Sequence, residues 1–277
     1  MKIYLLSLLL TVVLATAQAQ PKAPVGIQLY TFRNEFAKDV PGTMAKVREM
    51  GFKEIEGGNT YGLSVPELCK LLDQNGLKLV SMGAQFAELE ANVPQVIDKA
   101  KTLGAKYVVC SWIPHENDEF TFADAQRATE VFNTAGRLLK ENGLNLCYHT
   151  HGYEFKPYQQ GTLFDYLVAE LDPRYCNFEM DVFWVKHPGQ DPVEFLKKYG
   201  KRVPLVHLKD RKPGTPGNDK GRADVETNVP LGQGDIGIAE IMKQAKKSGV
   251  RHFFIEDESS RSMTQVPQSL DYLRTVM

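Results

Sequence analysis

The segments "AKYVVCSW" at residues 105–112 and "LNLCYH" at 144–149, with the helical stretch 121–142 between them, decide the fold. The two short apolar runs are rich in β-branched and aromatic residues, which favour strands. Gly143 stands where the intervening helix should end, and glycine is the common residue just beyond a helix C-terminus. The pattern therefore predicts a strand, a helix and a second strand parallel to the first.

This unit recurs along the chain. The predicted strands are "VGIQLY", "FKEIEG", "LKLVSMGA", "AKYVVCSW", "LNLCYH", "CNFEMD", "VPLVHLKD" and "RHFFIED". The predicted helices lie near residues 40–50, 65–75, before Gly104, and at 121–142, 161–171, 191–199, 236–248 and 265–275. Eight strand–helix units in about 250 residues predict an α/β protein with a single (β/α)8 TIM barrel.

A doubly wound open sheet is the competing fold. It would carry a glycine-rich dinucleotide fingerprint after its first strand, and "QLYTFRNEF" there contains no glycine. "GQGDIG" at 232–237 resembles a phosphate loop but follows a loop rather than a strand, so we interpret it as a turn.

The first 19 residues have the pattern of a cleaved export signal. Lys2 precedes the apolar run "IYLLSLLLTVVLATA", and "AQA" at 17–19 matches the small-x-small cleavage pattern. The run is shorter than the about 20 residues of a membrane-spanning helix. We expect a signal peptide at 1–19, a barrel at 20–277, a periplasmic or secreted location, and no membrane contact after cleavage.

Charge and cysteine usage narrow the class further. Lys and Arg number 33 and Asp and Glu 34, and the formal net charge is −1, so no strong field favours nucleic acid. The basic residues between Lys209 and Arg222 are interrupted by aspartates. Cys110 and Cys147 lie inside apolar runs, which predicts buried thiols rather than disulfides.

The predicted strands end in polar side chains, where a barrel carries its active site. These residues are Gln28, Arg33, Glu54, Glu56, Trp112, His115, His149, His151, Glu179, Asp181, His207, Lys209, Glu256 and Glu258. Residues two apart on a strand face the same way, so the pairs on strands five to eight are expected to converge at the barrel mouth. Carboxylates and imidazoles together suit Mn²⁺, Mg²⁺, Zn²⁺ or Co²⁺.

Four motifs carry a family resemblance. "YHTHGYEF", "MDVFWVKHPGQDP", "HLKD" and "IEDE" together resemble the sugar phosphate isomerase/epimerase family of xylose isomerase-like TIM barrels, in a branch with the pattern YHxHxxEF. The resemblance implies one divalent metal ion, with Mn²⁺ as first choice and Zn²⁺, Co²⁺ or Mg²⁺ as alternatives. It implies Asp181, His207 and Glu256 as ligands. The strand-five ligand stays open among His149, His151 and Glu154; strand register favours the histidines, and His151 is the assignment carried forward.

The resemblance also implies the chemistry. We expect proton abstraction next to a carbonyl of a keto-sugar or 3-keto-glycoside, with elimination or hydration as in a lyase. The alternatives are a keto-sugar isomerase/epimerase and, in another class, a non-catalytic sugar-binding barrel; near-zero charge disfavours the DNA-repair branch of the fold.

Residue roles follow from these positions. The expected catalytic residues are His149, His151, Glu154 and Lys209. The expected substrate-binding residues are Gln28, Glu56, Trp112 and His187. The turn-rich segment 210–228 follows strand seven, where it would either cover the mouth as a lid or form a disordered loop. The expected partner is a small-molecule sugar or glycoside, with no nucleic acid; the sequence does not indicate an oligomeric state.

Overall fold

Eight parallel strands close into a barrel in which each strand pairs with its neighbours in the chain. The computed structural model describes residues 25–277, and the predicted export signal lies outside them. The strands are β1 (Val25–Gln28), β2 (Glu54–Gly57), β3 (Lys78–Gly83), β4 (Tyr107–Cys110), β5 (Asn145–His149), β6 (Cys176–Asp181), β7 (Leu205–Leu208) and β8 (His252–Ile255). Strand β8 pairs with β1 and completes the barrel, so the predicted (β/α)8 fold is confirmed.

Eleven α-helices surround or cap the barrel within residues 25–277. They are α1 (Arg33–Phe36), α2 (Val40–Glu49), α3 (Val65–Asn75), α4 (Phe86–Ala91), α5 (Val93–Leu103), α6 (Phe122–Glu141), α7 (Leu163–Glu170), α8 (Val182–Lys186), α9 (Pro192–Tyr199), α10 (Ile238–Ser248) and α11 (Ser262–Val276). Each predicted helix is present within a few residues of its expected bounds. The short helices α1, α4 and α8 were not predicted.

Local sequence explains where the long helices begin and end. Helices α3 and α6 begin with capping boxes formed by Ser64 and Thr121, in which the cap side chain and the third helical residue satisfy each other's backbone N–H groups. Helices α3 and α5 end at Gly76 and Gly104 in the left-handed conformation, which glycine adopts without steric cost.

The hydrophobic core has two parts. The larger part lies between the strands and the surrounding helices. The smaller part consists of Val80, Tyr107, Val109, Cys147, Leu205 and Phe254. Cys110, Cys147 and Cys176 are buried free thiols, as predicted for the first two.

The N-terminal end of the barrel carries one polar pair that the sequence interpretation misplaced. Glu54 was grouped with Glu56 at the mouth, but it is the first residue of β2. Its carboxylate lies 2.7 Å from Nδ1 of His252, the first residue of β8. Since the strands are parallel, both residues lie at the end opposite the mouth.

Two short antiparallel ribbons stand outside the barrel. One joins Pro157–Tyr158 to Gly161–Thr162, and the other joins Asp210–Arg211 to Asn228–Val229. The second ribbon closes the base of the predicted lid segment 210–228. Across residues 25–277, no helix combines the length and apolar character needed to cross a bilayer.

Candidate active site

The register of the barrel strands brings the polar strand ends to one level. His149 pairs with Glu179, and Asp181 pairs with His207. On the far wall Gln28 pairs with Glu56. The β2–β3 register shifts between Ile55 and Glu56, an irregularity of the kind that re-aims side chains next to active sites.

His149, Glu179 and His207 form the first donor group. One nitrogen or oxygen from each lies within 4.8 Å of the others. Nδ1 of His149 is 3.0 Å from Oε2 of Glu179, and Nε2 of His207 is 3.4 Å from the same oxygen. All three side chains are at most 4% exposed.

Asp181, His207 and Glu256 form the second donor group, with the same 4.8 Å spread. Nδ1 of His207 lies 3.3 Å from Oε2 of Glu256. Oδ1 of Asp181 accepts from the backbone N–H groups of Phe183 and Trp184 at the start of α8. Its Oδ2 has no hydrogen-bond partner within the described residues and lies 3.8 Å from Nε2 of His149. The three ligands implied by the resemblance therefore lie together.

The donor chemistry fits a divalent cation. Within residues 25–277, Oε2 of Glu56, Oε1 of Glu179 and Oδ2 of Asp181 are buried without hydrogen-bond partners. Unpaired buried carboxylate oxygens are costly, and a bound cation is the usual way to satisfy several of them at once. Imidazole nitrogens among the same oxygens add the ligand type preferred by Zn²⁺ and also accepted by Mn²⁺ or Co²⁺.

The pKa values record how crowded this site is. Burial raises the pKa of Asp181 to about 7, with Glu256 acting in the same direction. Burial and the neighbouring Glu56 raise the pKa of Glu179 well above its usual range. Burial alone would lower the pKa of His207, but Glu179, Glu56 and Glu256 raise it well above its ordinary value. The crowded carboxylates therefore favour positive charge among them, either bound protons or a cation.

His149 and His151 lie in different surroundings. His149 belongs to the first donor group, whereas His151 belongs to neither group. The His151 ring stacks on Trp184, with ring centroids 4.7 Å apart, and its Nδ1 is buried without a partner in the described structure. Burial, with help from Lys209, lowers the pKa of His151 to about 3, so the ring is neutral near pH 7. His151 also lines the cavity at the mouth.

Glu154 lies behind His151. Its carboxylate is fully buried, does not line the mouth cavity, and accepts the backbone N–H of His151 at 2.9 Å. Burial raises the pKa of Glu154 to about 7. Glu154 therefore fixes the backbone of His151 through this hydrogen bond and does not itself face the cavity.

Lys209 is a buried cation at the edge of the donor groups. Its Nζ lies 3.3 Å from Oε2 of Glu256 and also contacts Glu258. Burial alone would lower the pKa of Lys209, but Glu256 and Glu258 raise it above its usual value. Lys209 therefore stays protonated and can donate hydrogen bonds but cannot accept a proton near pH 7.

The four predicted substrate-binding residues divide into two pairs. Gln28 and Glu56 line the cavity, and Gln28 Nε2 donates to Glu56 Oε1 at 2.6 Å. Trp112 and His187 do not line it. The Trp112 ring packs edge-on against His151 at 5.1 Å between centroids, and His187 Nε2 lies 3.0 Å from Asn218 of the lid segment.

The mouth opens into one large cavity of about 1250 Å³. Four of the metal-binding side chains, those of His149, Glu179, His207 and Glu256, line one side together with Lys209 and Glu258. The loops after β1, β2 and β3 line the other side. Gly221, Arg222, Ala223 and Val225 of the lid segment also line it. The prediction that segment 210–228 covers the mouth agrees with this placement.

The glycine-rich stretch 232–237 is a turn, as interpreted from its position. The carboxylate of Asp210 accepts the backbone N–H groups of Gly232, Gly234 and Ile236 at 2.8, 3.1 and 3.2 Å. A Cβ at Gly234 would lie 2.0 Å from Oδ1 of Asp210. These donors are thus engaged by the protein itself.

Sequence reasoning assigned no role to Glu179 and Glu258. Both were visible as polar strand-end residues, and Glu179 shares strand parity with Asp181. The sequence does not show that β5 and β6 bring Glu179 to 3.0 Å from His149, because that distance depends on barrel closure.

The comparisons with known proteins concern the family, relatives and fold. A family model described as the xylose isomerase-like TIM barrel matches residues 44–276. The inosose dehydratase of Geobacillus kaustophilus is 26% identical over 216 residues, which are 67% of this chain and 68% of that protein. The inosose dehydratase of Clostridium botulinum is 27% identical, and the chain spans 60% of its length.

Solved structures show the same architecture. A sugar phosphate isomerase/epimerase from Parabacteroides distasonis superimposes with a TM-score of 0.75 and 25% identity, covering 94% of this chain and 96% of that one. The IOLI protein with a bound zinc atom superimposes with a TM-score of 0.72 and 16% identity, covering 91% and 97%. At 16% identity, the likeness to the IOLI protein shows a shared fold alone.

Proposed function

Because the chain belongs to the xylose isomerase-like TIM barrel family, we propose that it removes a proton next to the carbonyl of a keto-sugar or 3-keto-glycoside, with elimination or hydration. Membership confirms the predicted family, and the relatives confirm an enzyme of the sugar lyase or isomerase type. The observation that carries the proposal is the buried carboxylate–imidazole cluster, with its unpartnered oxygens, beside the mouth cavity.

Asp181, His207 and Glu256 would hold the metal ion, with His149 and Glu179 as further donors. When bound, a divalent cation there supplies Lewis acidity that polarises the carbonyl and stabilises the charge developing as the neighbouring C–H loses its proton. Mn²⁺ is the first ion to test, with Zn²⁺, Co²⁺ and Mg²⁺ as alternatives.

The protein's own groups have distinct capacities. Lys209 is cationic and donates hydrogen bonds to a hydroxyl or a developing oxyanion. His151 is neutral near pH 7 and lines the cavity, so its ring can contact the substrate and hydrogen-bond a hydroxyl there. Gln28 and Glu56 line the opposite wall, where they can orient sugar hydroxyls. His149 is held by Glu179 and serves the metal site.

The lyase reaction needs no reactant other than water, which enters only in the hydration. The base takes the proton from the carbon next to the carbonyl, and that electron pair forms the new C=C bond. The substituent on the next carbon leaves with its bonding electrons, and water added across the double bond gives the hydrated product. The dehydratase relatives support this outcome.

Isomerisation or epimerisation is the second candidate. It shares the first proton transfer and differs only in returning the proton to the other face or the neighbouring carbon. The likeness to the sugar phosphate isomerase/epimerase of Parabacteroides distasonis favours it.

We also propose a periplasmic or secreted location, with a small sugar or glycoside as the partner. The export-signal pattern at residues 1–19 supports the location. Sugar phosphates are mostly intracellular, so an unphosphorylated substrate fits the location better.

Metal analysis with a keto-sugar assay tests the enzyme. We expect about one divalent ion per chain, loss of turnover on chelation, and recovery when Mn²⁺ or Zn²⁺ is restored. Glu256→Gln should weaken metal binding at least 10- to 100-fold while the far-UV circular dichroism stays unchanged. Glu90→Gln, at an exposed carboxylate paired with Arg127, is the matched control. Full metal occupancy and turnover in Glu256→Gln would contradict the proposal.

A further inference from the structure

The mouth cavity is larger than a single sugar ring requires. Its volume of about 1250 Å³ exceeds the range of about 300–1,000 Å³ typical for drug-sized ligands. The metal-binding groups occupy only the wall formed by the ends of β5–β8. The remaining space extends over the loops that follow β1 and β2, which add aromatic rings to the lining.

Three aromatic side chains, Tyr30, Phe36 and Tyr61, line that part of the cavity, and we call them the aromatic shelf. Tyr30 is the large apolar side chain that residues 25–277 leave exposed, at 52%. Phe36 is 2% exposed and stacks on Tyr61, with ring centroids 4.2 Å apart and planes 15° apart, so it supports the Tyr61 ring from behind.

The position of Tyr61 is held by its surroundings. Its φ of +53° is unusual for a bulky residue, and the side-chain oxygen of Asn59 accepts its backbone N–H at 2.7 Å. A strained backbone that the surrounding contacts maintain is typical of ligand-binding positions.

A chain of short contacts joins the aromatic shelf to the carboxylate cluster. Gln28 Oε1 accepts the backbone N–H of Tyr30 at 3.1 Å, and Gln28 Nε2 donates to Glu56 at 2.6 Å. Glu56 lies 2.8 Å from Nε2 of His207. Because the shelf lines the same cavity as four of the metal-binding side chains, one molecule can contact both.

Polar groups accompany the aromatic rings. The guanidinium of Arg33 lies 4.6 Å from the Tyr30 ring centroid and donates to the backbone oxygen of Glu258 at 2.6 Å. Lys38 and Asn59 are exposed and also line the cavity. Aromatic faces with hydrogen-bonding groups at their edge suit a ring that presents both a flat face and hydroxyls.

We infer that the aromatic shelf binds the second ring of a two-ring keto-glycoside, the ring attached through the glycosidic bond to the keto-sugar at the metal-binding groups. This inference rests on the proposed function. The shared chemistry is a flat ring with at least one hydroxyl, which an aryl group or a second pyranose provides.

Binding of unreactive glycosides tests the shelf without turnover. Calorimetry on the metal-loaded enzyme compares methyl glucoside, 4-hydroxyphenyl glucoside and cellobiose. We expect at least one two-ring glycoside to bind roughly tenfold more tightly than methyl glucoside. The glycoside with the larger advantage identifies the aryl or the pyranose source. Equal affinity for all three overturns the inference.

Variants of the shelf residues test whether the tighter binding of two-ring glycosides comes from the aromatic shelf. Tyr61→Ala and Tyr30→Ala should each remove most of the two-ring advantage and leave methyl glucoside unchanged, while Tyr61→Phe should retain the stacking. The control is Tyr158→Ala, because Tyr158 stacks on Phe122 at 4.7 Å and 11° but does not line the cavity. A two-ring advantage that survives both shelf variants overturns the inference, and Tyr30→Ala decides if Tyr61→Ala fails to fold.

Kinetics separate the shelf from the reaction. With 3-keto derivatives of the same glycosides, shelf variants should raise KM for the two-ring substrate about tenfold with little change in kcat, and leave a single-ring keto-sugar unaffected. An equal loss on both substrates overturns the inference. A two-ring binding advantage without turnover of any keto-sugar would sink the proposed function and leave the shelf supported.

Discussion

His207 is the residue on which the candidate metal site depends most. It belongs to both donor groups, with Nε2 facing Glu56 and Glu179 and Nδ1 facing Glu256. Its ring is 2% exposed, so the surrounding carboxylates interact with it through protein rather than water. One imidazole thereby connects strands β2, β6, β7 and β8.

Asp165, which does not line the cavity, should make the free energy of unfolding depend on pH. Partial burial raises the pKa of Asp165, but hydrogen bonds from Lys198, Tyr199 and Thr162 outweigh it and lower the pKa to about 2. The folded-state pKa lies below the unfolded value of about 3.9, so the stabilisation is complete above pH 4 and disappears as the pH falls towards 2. Asp165→Asn should cost about 1 kcal/mol at pH 7 and almost nothing near pH 2.

Urea unfolding at several pH values measures this difference. Asp98→Asn, at an exposed position on α5, is the control and should match the parent protein throughout. A constant deficit for Asp165→Asn between pH 7 and 2 would contradict the linkage.

At the residue scale, the sequence predicted which residues form the candidate metal site better than it predicted the direction of their side chains. Asp181, His207 and Glu256 lie together as the family motifs implied. Strand parity placed His149 and His151 on one side, yet only His149 joins a donor group. The reason is that β5 ends at His149, so the period of two no longer fixes the direction of His151.

At the scale of elements, residues 218–222 of the lid segment 210–228 are held over the mouth by a few contacts. Arg222 pairs with Asp118 at 2.7 Å. Asn218 Nδ2 contacts His187 Nε2 at 3.0 Å and donates to the backbone oxygen of Arg222 at 2.9 Å. The ion pair is largely exposed, so it contributes little to the stability of the lid. The packing of Gly221 against Tyr153 and His151 therefore contributes more to holding the lid in place.

Gly221→Ala should therefore disturb the lid. Gly221 has a φ of +67°, and a Cβ there would lie 2.7 Å from the Tyr153 ring and 3.1 Å from the backbone oxygen of His151. We expect kcat/KM to fall roughly tenfold, which corresponds to about 1.4 kcal/mol, because the lid must move away from His151. Steady-state kinetics on a keto-sugar measures the effect.

Gly214→Ala is the matched control for this change. Gly214 lies in the same segment with a φ of +79°, and a Cβ there would meet nothing within 4 Å. Both variants place alanine at a positive φ and suffer the same backbone strain. They differ in that only the Gly221 Cβ would contact Tyr153 and His151. Equal kcat/KM values for the two variants would show that the lid does not act through Gly221.

The elements themselves were largely predictable because their causes are local. Periodicity and glycine caps placed the barrel strands and the long helices. Helix α8 (Val182–Lys186) was missed because five residues are too few for a helical period to show in the sequence. The ribbon of Asp210–Arg211 with Asn228–Val229 was missed because its strands are two residues long and pair across the lid.

At the scale of the whole molecule, the inner core reaches the seam between β1 and β8 at which the barrel closes. Phe254, from β8, lies in the small inner core. It pairs in register with Gly26 of β1, where the barrel closes. The strand count predicted closure, but the sequence does not indicate which side chain fills the space left by the Gly26 hydrogen.

Gly26→Ala should destabilise the barrel as a unit. A Cβ at Gly26 would lie 2.7 Å from the Phe254 ring and 2.6 Å from the backbone oxygen of Glu54. Overpacking of this kind costs about 1–3 kcal/mol. Because β1 and β8 close the barrel, the loss should appear as a lower urea midpoint with an unchanged m-value, rather than as local opening.

A double variant separates the two clashes. Phe254→Leu alone should destabilise by leaving a cavity, but combined with Gly26→Ala it should cost less than the sum, since the smaller side chain makes room for the new methyl group. The backbone clash with Glu54 remains in both backgrounds, so recovery should be partial. Strict additivity of the two unfolding free energies would show that Phe254 does not limit the space at Gly26, and that closure depends on the Glu54 backbone instead.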